Sequence, residues 1–224
     1  MNRRVFAYLL STACISSAKT PELRPKGLML NLDFEGVKEG LIPNKALYPL
    51  FVPTGNLFVD RIKHRNLLVV DEGRGLDIPH SSLLDPAGDE WVVSIRVFLL
   101  TDGLILSQGN DRHGFAIYTK DHQVFARVRT GNVAYTLQEK PNSGISKFRK
   151  KWVTIELRIS AGHAFLSLNR KYAAMVTGQP PLNGDGMRIR IGTHRELPGV
   201  FREFQKLNTD GFSGAINSLK IHRQ

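Results

Sequence analysis

FSGAINSLKIHR, from Phe212 to Arg223, and LDIPHSSLLDPAGDEWVVSIRVFLL, from Leu76 to Leu100, are the two stretches on which the fold of this chain turns. Outward from them the chain reads as short strands broken by turn residues, and no helical period is sustained for three turns. Residues 152–159 alternate most clearly, with Val153, Ile155, Leu157 and Ile159 on one face and Trp152, Thr154, Glu156 and Arg158 on the other. An opening strand carries Leu28, Leu30, Leu32 and Phe34 on one face and Met29, Asn31 and Asp33 on a wet one. Further strands are predicted at 104–107, 115–119, 124–129, 134–138, 164–168, 172–176 and 187–191. Lys120-Asp121-His122-Gln123, Thr130-Gly131-Asn132, Ala161-Gly162-His163 and Asn169-Arg170-Lys171 are short polar connections that fold successive strands back as a meander. Such a succession of antiparallel strands makes an all-β sandwich or barrel, and the absence of a fixed repeat excludes solenoids and propellers.

Composition agrees with one domain. The 224 residues, 42% hydrophobic and 23% charged, are enough to bury a full core. A formal net charge of +11 favours polyanionic partners. The first eighteen residues differ from the rest: Arg3 and Arg4 precede an apolar run, Val5 to Ala13, and Ser16-Ser17-Ala18 supplies the small residues of a cleavage site. This predicts a secretory signal at 1–18, a linker at 19–27 and the domain at 28–224, with the protein secreted or periplasmic. The apolar run falls short of the ~20 residues that cross a bilayer, so no transmembrane segment is expected. The alternative is a lipid anchor at Cys14, the only cysteine, in a lipobox whose aliphatic position is occupied by Ser11.

The order of features is what carries a family resemblance. LDFEG at Leu32 is followed by GRGLDIP at Gly73, SLLDPAGDEWVVSIRV at Ser82, LILSQGNDRHGFAIY at Leu104, KWVTIELRI at Lys151, AFLSLNRKYA at Ala164, RIRIGTH at Arg188 and the closing FSGAINSLKI. This order resembles the laminin G-like group of the concanavalin A-like lectin and glucanase superfamily. The resemblance implies an antiparallel two-sheet jelly-roll sandwich, with the closing strand beside the opening one. It also implies non-catalytic binding of glycans or proteins at loop rims or on a sheet, often with a calcium ion. In many relatives an acidic residue precedes the strand that begins here at Phe115; this chain has Gly114 there, preceded by His113. Asp111 is then the candidate calcium ligand, with Asp185 or Asp210 on a neighbouring loop, against its reading as an ordinary turn residue in GNDRHG.

Enzyme chemistry finds little footing. The E-x-D-x-E pattern of the glucanase branch is absent, and the nearest carboxylate pair is Asp33 and Glu35, the basis of a degenerate-glycosidase reading. The seven histidines are scattered, and no nucleophile elbow, P-loop or dinucleotide fingerprint is present. What remains is a cationic face. Phe125, Arg127 and Arg129 share one strand face, Arg188 and Arg190 another, and Ser94, Arg96 and Phe98 a third. Guanidinium groups beside aromatic rings suit an acidic polysaccharide, provided those strands share a sheet; the ordinary polar exterior of an antiparallel sheet is the competing account. The runs at 61–65 and 147–151 would extend such a face. Anionic polysaccharide or glycoprotein is therefore the first expected partner, and a cell-envelope protein held by loops at 183–186 and 198–211 the second. Nucleic acid ranks below both for an exported chain.

Overall fold

A computed structural model describes residues 26–46, 48–55, 57–62, 64–71, 74–86, 90–110, 112–139, 150–178, 182, 186–192 and 212–224. The expected signal, the lipidation site Cys14 and nearly all of the expected linker lie outside them. Among the described residues sixteen strands follow one another: β1 (Gly27–Leu32), β2 (Leu41–Pro43), β3 (Phe51–Pro53), β4 (Phe58–Ile62), β5 (Arg65–Val70), β6 (Leu76–Ile78), β7 (Trp91–Leu99), β8 (Gly103–Gly109), β9 (His113–Lys120), β10 (Gln123–Thr130), β11 (Val133–Gln138), β12 (Trp152–Ser160), β13 (His163–Leu168), β14 (Lys171–Thr177), β15 (Arg188–Ile191) and β16 (Gly214–Arg223). A 3₁₀ turn, Ser82–Leu84, precedes β7.

Every strand pair is antiparallel, in two main sheets that form a sandwich. One has eight strands, in the order β14-β13-β12-β7-β16-β5-β4, with β1 also on β16. The other has six, β11-β10-β9-β8-β15-β6, and β2 and β3 form a separate hairpin. The closing strand does pair with the opening one, Leu219 opposite Leu32 and Arg223 opposite Gly27. Among the described residues no helix is long and apolar enough to cross a membrane.

The alternating patterns place the core. Val93, Ile95 and Val97 of β7, Val153, Ile155, Leu157 and Ile159 of β12, and Val124, Ala126 and Val128 of β10 are all buried between the sheets. Burying one such aliphatic side chain contributes roughly 1.5–3 kcal/mol for Val, Leu or Ile. Two of the polar connections are tight two-residue turns with both residues left-handed, Asp121-His122 (φ 52° and 62°) and Asn169-Arg170 (φ 50° and 66°), the twist that hairpins favour. The first is tied down by Asp102, whose carboxylate accepts from the His122 amide at 3.1 Å.

Three expectations are corrected here. Met29 is buried rather than wet, because a bulge between Leu28 and Leu30 in the β1–β16 ladder breaks the strict alternation. The strand ends at Leu32, so Asp33 and Glu35 belong to the turn after it, with Phe34 buried between them at φ 61°. The run at 61–65 is no loop: Arg61 and Arg65 belong to the β4–β5 hairpin of the eight-stranded sheet.

One end of the core holds a buried polar cluster that locks the 3₁₀ turn to both sheets. Trp91 Nε1 donates to Gln108 Oε1 at 3.1 Å, and Gln108 Nε2 donates to the Leu84 carbonyl at 2.6 Å. Arg223, fully buried, lies 5.2 Å over the Trp91 ring and donates to the carbonyls of Leu83 and Asp85. The Asp85 carboxylate accepts from the amides of Gly186 and Met187, both at 2.9 Å, and approaches His80 Nε2 at 3.0 Å.

Candidate functional site

Register decides which of the expected ligand-binding residues can act together. On the outer face of the six-stranded sheet, one cross-strand row runs Asp77, Arg190, Ser107, Ala116, Arg127, Thr136. The next row runs Arg188, Gly109, Gly114, Arg129, Ala134. Two arginines on β15 thus face two on β10 across a floor of four small residues on β8 and β9. Three strand intervals separate the two sides, about 14 Å at the usual spacing. A third row adds the ring pair Tyr118–Phe125, stacked with centroids 5.2 Å apart and planes 12° from parallel.

The four guanidinium groups are not equivalent. Arg188 is exposed, and Arg127 and Arg129 are half-buried. Arg190 is only 4% exposed and is ion-paired to Asp77, Nε to Oδ1 at 2.9 Å. Arg129 Nε donates to the Gly131 carbonyl at 3.1 Å, which fixes its side chain along the strand end. Burial raises the Tyr118 phenol above its ordinary value, and the Arg127 guanidinium opposes that shift in part, so charge and ring are close enough to sense one another. A face of this kind offers a planar, charged donor beside an aromatic ring, the combination that holds a sulfate or carboxylate next to a stacked sugar ring.

Arg96 is not part of this face. It lies on β7 in the eight-stranded sheet, opposite Thr154 on one side and Ser218 on the other, with its guanidinium 5.7 Å over the Trp152 ring. Trp152 in turn packs against Phe98, centroids 5.5 Å apart. Arg96 therefore belongs to a cross-strand cluster typical of sheet stabilisation. Lys150 and Lys151 precede β12 in that same sheet, and 147–149 lie outside the described residues. The carboxylates Asp33 and Glu35 do lie on one side, yet both are bridged by Lys45, whose Nζ donates to Asp33 Oδ2 at 2.8 Å and Glu35 Oε2 at 3.3 Å. These hydrogen bonds, Asp33 first, raise the Lys45 ammonium above its ordinary value against the opposing effect of burial. Glu35 is exposed and Asp33 half-buried, and neither has the distinct, dry setting that separates a general acid from a nucleophile.

Asp111, Asp185 and Asp210 lie outside the described residues, as do 183–185 and 198–211. Among the described residues no group of three or more His, Cys, Asp or Glu side chains is placed to hold a metal ion. The sequence reading missed the small-residue floor and Tyr118. The signal was present: Ser107 and Gly109 at alternate positions, then Gly114 and Ala116, put four small residues on one face just where the arginine strands flank them, and in the structure all four are buried.

No protein-family model matches the chain, and no curated protein does. Solved structures do. The chain is similar to domain 4 of AbnA, a GH43 extracellular arabinanase from Geobacillus stearothermophilus, solved in complex with arabinotriose. The TM-score is 0.63 at 15% identity, covering 89% of this chain and 94% of that one. It is also similar to the IT-sialidase CBM40 of Ruminococcus gnavus, with TM-score 0.56 at 17% identity, covering 70% and 90%. A third similar structure is the binding domain of botulinum neurotoxin serotype G, with TM-score 0.63 at 14% identity, covering 88% of this chain and 48% of that one. This chain thus spans about half the length of the neurotoxin domain and nearly all of the arabinanase one. At these identities the likeness establishes architecture alone, an antiparallel two-sheet β-sandwich of jelly-roll type.

Proposed function

We infer that this chain is a non-catalytic recognition module of the laminin G-like branch that binds an anionic polysaccharide through the outer face of its six-stranded sheet. The observation that carries the reading is the register: Arg188 and Arg190 face Arg127 and Arg129 across Ser107, Gly109, Gly114 and Ala116, beside the Tyr118–Phe125 pair. Arg127, Arg129 and Arg188 are the groups assigned to meet sulfate or uronate, and Phe125 with Tyr118 forms the apolar flank. Arg190, buried against Asp77, orders the β15 side. The arabinanase domain, which shares the fold over nearly its whole length, is itself held in complex with an oligosaccharide, and this supports a glycan as ligand. The N-terminal sequence supports export, to the periplasm or beyond, where such polymers are met.

The test is binding of sulfated, uronic and neutral polysaccharides at low salt and at about 0.5 M, where long-range attraction is largely screened. Salt-sensitive binding of the anionic polymers, lost in Arg127→Ala/Arg129→Ala, is expected. Absence of anionic-glycan binding at either salt would sink the reading and turn the search to protein partners in the cell envelope.

A further inference from the structure

The free edges of the sheets are unequal. A strand paired on one side only presents a row of unpaired N–H and C=O groups, which folded proteins blunt with charge, proline, a bulge, shortness or a covering segment. β4 carries the exposed Asp60 and Arg61, and β6 is three residues long. β14 is bulged, Ala173 having no residue opposite it on β13. The β2–β3 hairpin has Pro43 and Pro53 on its strands, and β1 is covered by Asn44 and Lys45, which bond to Met29 and Asn31. β11, the outermost strand of the six-stranded sheet, has none of these devices. Its six residues, VAYTLQ, include no charge and no proline, and its register with β10 runs unbroken from Val133 opposite Thr130 to Gln138 opposite Phe125. Val133, Ala134, Thr136 and Gln138 are exposed, Val133 at 44%, so the strand is open to solvent.

The occupant that fits this edge is a second copy of it. A chain with a formal net charge of +11 repels its own copy over most of its surface, and β11 is a stretch free of that charge. Two antiparallel edge strands related by a two-fold axis keep their faces, so each possible seam is centred on one residue. Centred on Tyr135, Ala134 meets the partner's Thr136 and Val133 the partner's Leu137. Centred on Thr136, Ala134 meets the partner's Gln138 and Tyr135 the partner's Leu137. Neither register opposes like charges, and pairs of aromatic, β-branched and aliphatic side chains are favourable across strands. The nearest cations, Arg127 and Arg129, are on β10, opposite Thr136 and Ala134. Across the seam the two β10 strands are three strand intervals apart, about 14 Å, beyond the ~8 Å over which charge is felt at physiological salt.

We propose that β11 pairs antiparallel with β11 of a second copy of this chain, joining the two six-stranded sheets into one continuous sheet. The two-fold axis that continues an antiparallel sheet runs along its normal, so both outer faces point the same way. The arginine faces of the two copies then lie side by side on one surface, and a long polyanion can engage both, which raises avidity without a new contact. That consequence rests on reading the arginine face as the glycan site; the pairing itself does not. Six paired residues a side are far fewer than the roughly 20–30 of a standard interface, so the association is weak, with Kd on the order of 100 μM.

The experiment is sedimentation velocity of the full chain from about 10 μM to about 1 mM at ~0.15 M salt, with amide NMR signals followed over the same range. A concentration-dependent dimer is expected, with shifts concentrated at 133–138. Ala134→Lys/Thr136→Lys sets like charges opposite one another in either register and should weaken association at least about tenfold, as should Ala134→Glu/Thr136→Glu. Mixed in equal amounts, the two variants should associate again at least as tightly as the unmodified chain, a recovery that a mere disturbance of folding would not give. A monomer at every concentration, an association that both variants leave unchanged, or a mixture that fails to recover it would each overturn the proposal. Should a variant unfold, the shifts of the unmodified chain decide, and shifts confined to other surfaces overturn it equally. Anionic-polysaccharide binding, measured in parallel, separates the two readings. A dimer that binds no anionic glycan breaks the first alone, and a glycan-binding chain that stays monomeric breaks the second alone.

Discussion

Arg223 and Arg127 show two opposite uses of the same side chain. Arg223 sits at the end of the core with no exposed surface, its donors turned to the carbonyls of Leu83 and Asp85 and its plane against Trp91. Arg127 sits on the outside of the six-stranded sheet, half in water, next to Tyr118 and across small residues from Arg190. At the first site the guanidinium replaces water for backbone groups that would otherwise be unsatisfied, so its role is to hold the fold. At the second the charge keeps part of its hydration beside a row of small, buried residues, and a partly hydrated guanidinium can exchange water for a ligand. Burial and register, rather than residue type, separate a structural arginine from a recognition arginine.

The comparison can be broken most directly at Arg223. Arg223→Ala leaves two buried carbonyls without their donor and a void beside Trp91, and should cost roughly 3–5 kcal/mol of stability. Urea unfolding measures it, and a loss below about 1 kcal/mol would show that the cluster is not structural. The paired change Arg127→Ala/Arg129→Ala should do the reverse: stability altered by no more than about 1 kcal/mol, with affinity for a sulfated polysaccharide falling at least about tenfold, the equivalent of 1.4 kcal/mol. A variant that unfolded instead would move Arg127 and Arg129 into the structural class.

Smaller effects sharpen the contrast on the eight-stranded sheet. Lys45→Met removes an exposed bridge to Asp33 and Glu35 and should cost no more than about 1 kcal/mol, as exposed ion pairs do, read as a small shift in the urea midpoint. The smallest effect is on pH. Burial lowers His222, with Lys220 adding to the shift and Glu156 opposing it, and burial also lowers His113, with Arg112 adding. The unfolded chain therefore binds more protons than the folded one as pH falls below about 6.5. This contribution is intact above that value and is lost as pH falls through it toward the folded values. His222→Asn should flatten the slope of thermal midpoint against pH between neutrality and about pH 5; an unchanged slope would show that His222 is too well hydrated to matter.

Legibility differed between the fold and the site for a physical reason. Strict two-residue alternation, as in Trp152 to Ile159, is a local property, so β12 and the β8–β11 meander were readable from the residues, their turns included. The β2–β5 region was not: its strands are mostly short, proline borders two of them, and the basic run at 61–65 reads as loop until Leu67, Leu68 and Val70 are seen buried beside β16. Met29 misled because a bulge obeys no period. For the arginine face, the sequence could show that Phe125, Arg127 and Arg129 share a side, but whether Arg188, Arg190 or Arg96 stands near them depends on strand order. β15 and β10 are separated by only two strands in one sheet, whereas β7 is in the other sheet.

Composition and alternation by themselves determined that this chain is basic and all-β with antiparallel strands, sandwich or barrel, because hydrophobic period and turn chemistry act over a few residues. Tertiary structure alone decided which charges meet. Cross-strand register set Arg188 and Arg190 opposite Arg127 and Arg129. It also turned Arg223 inward beneath Trp91. The β1–β16 pairing joins residues as much as 223 − 27 = 196 positions apart, Gly27 to Arg223, and no local pattern carries that information.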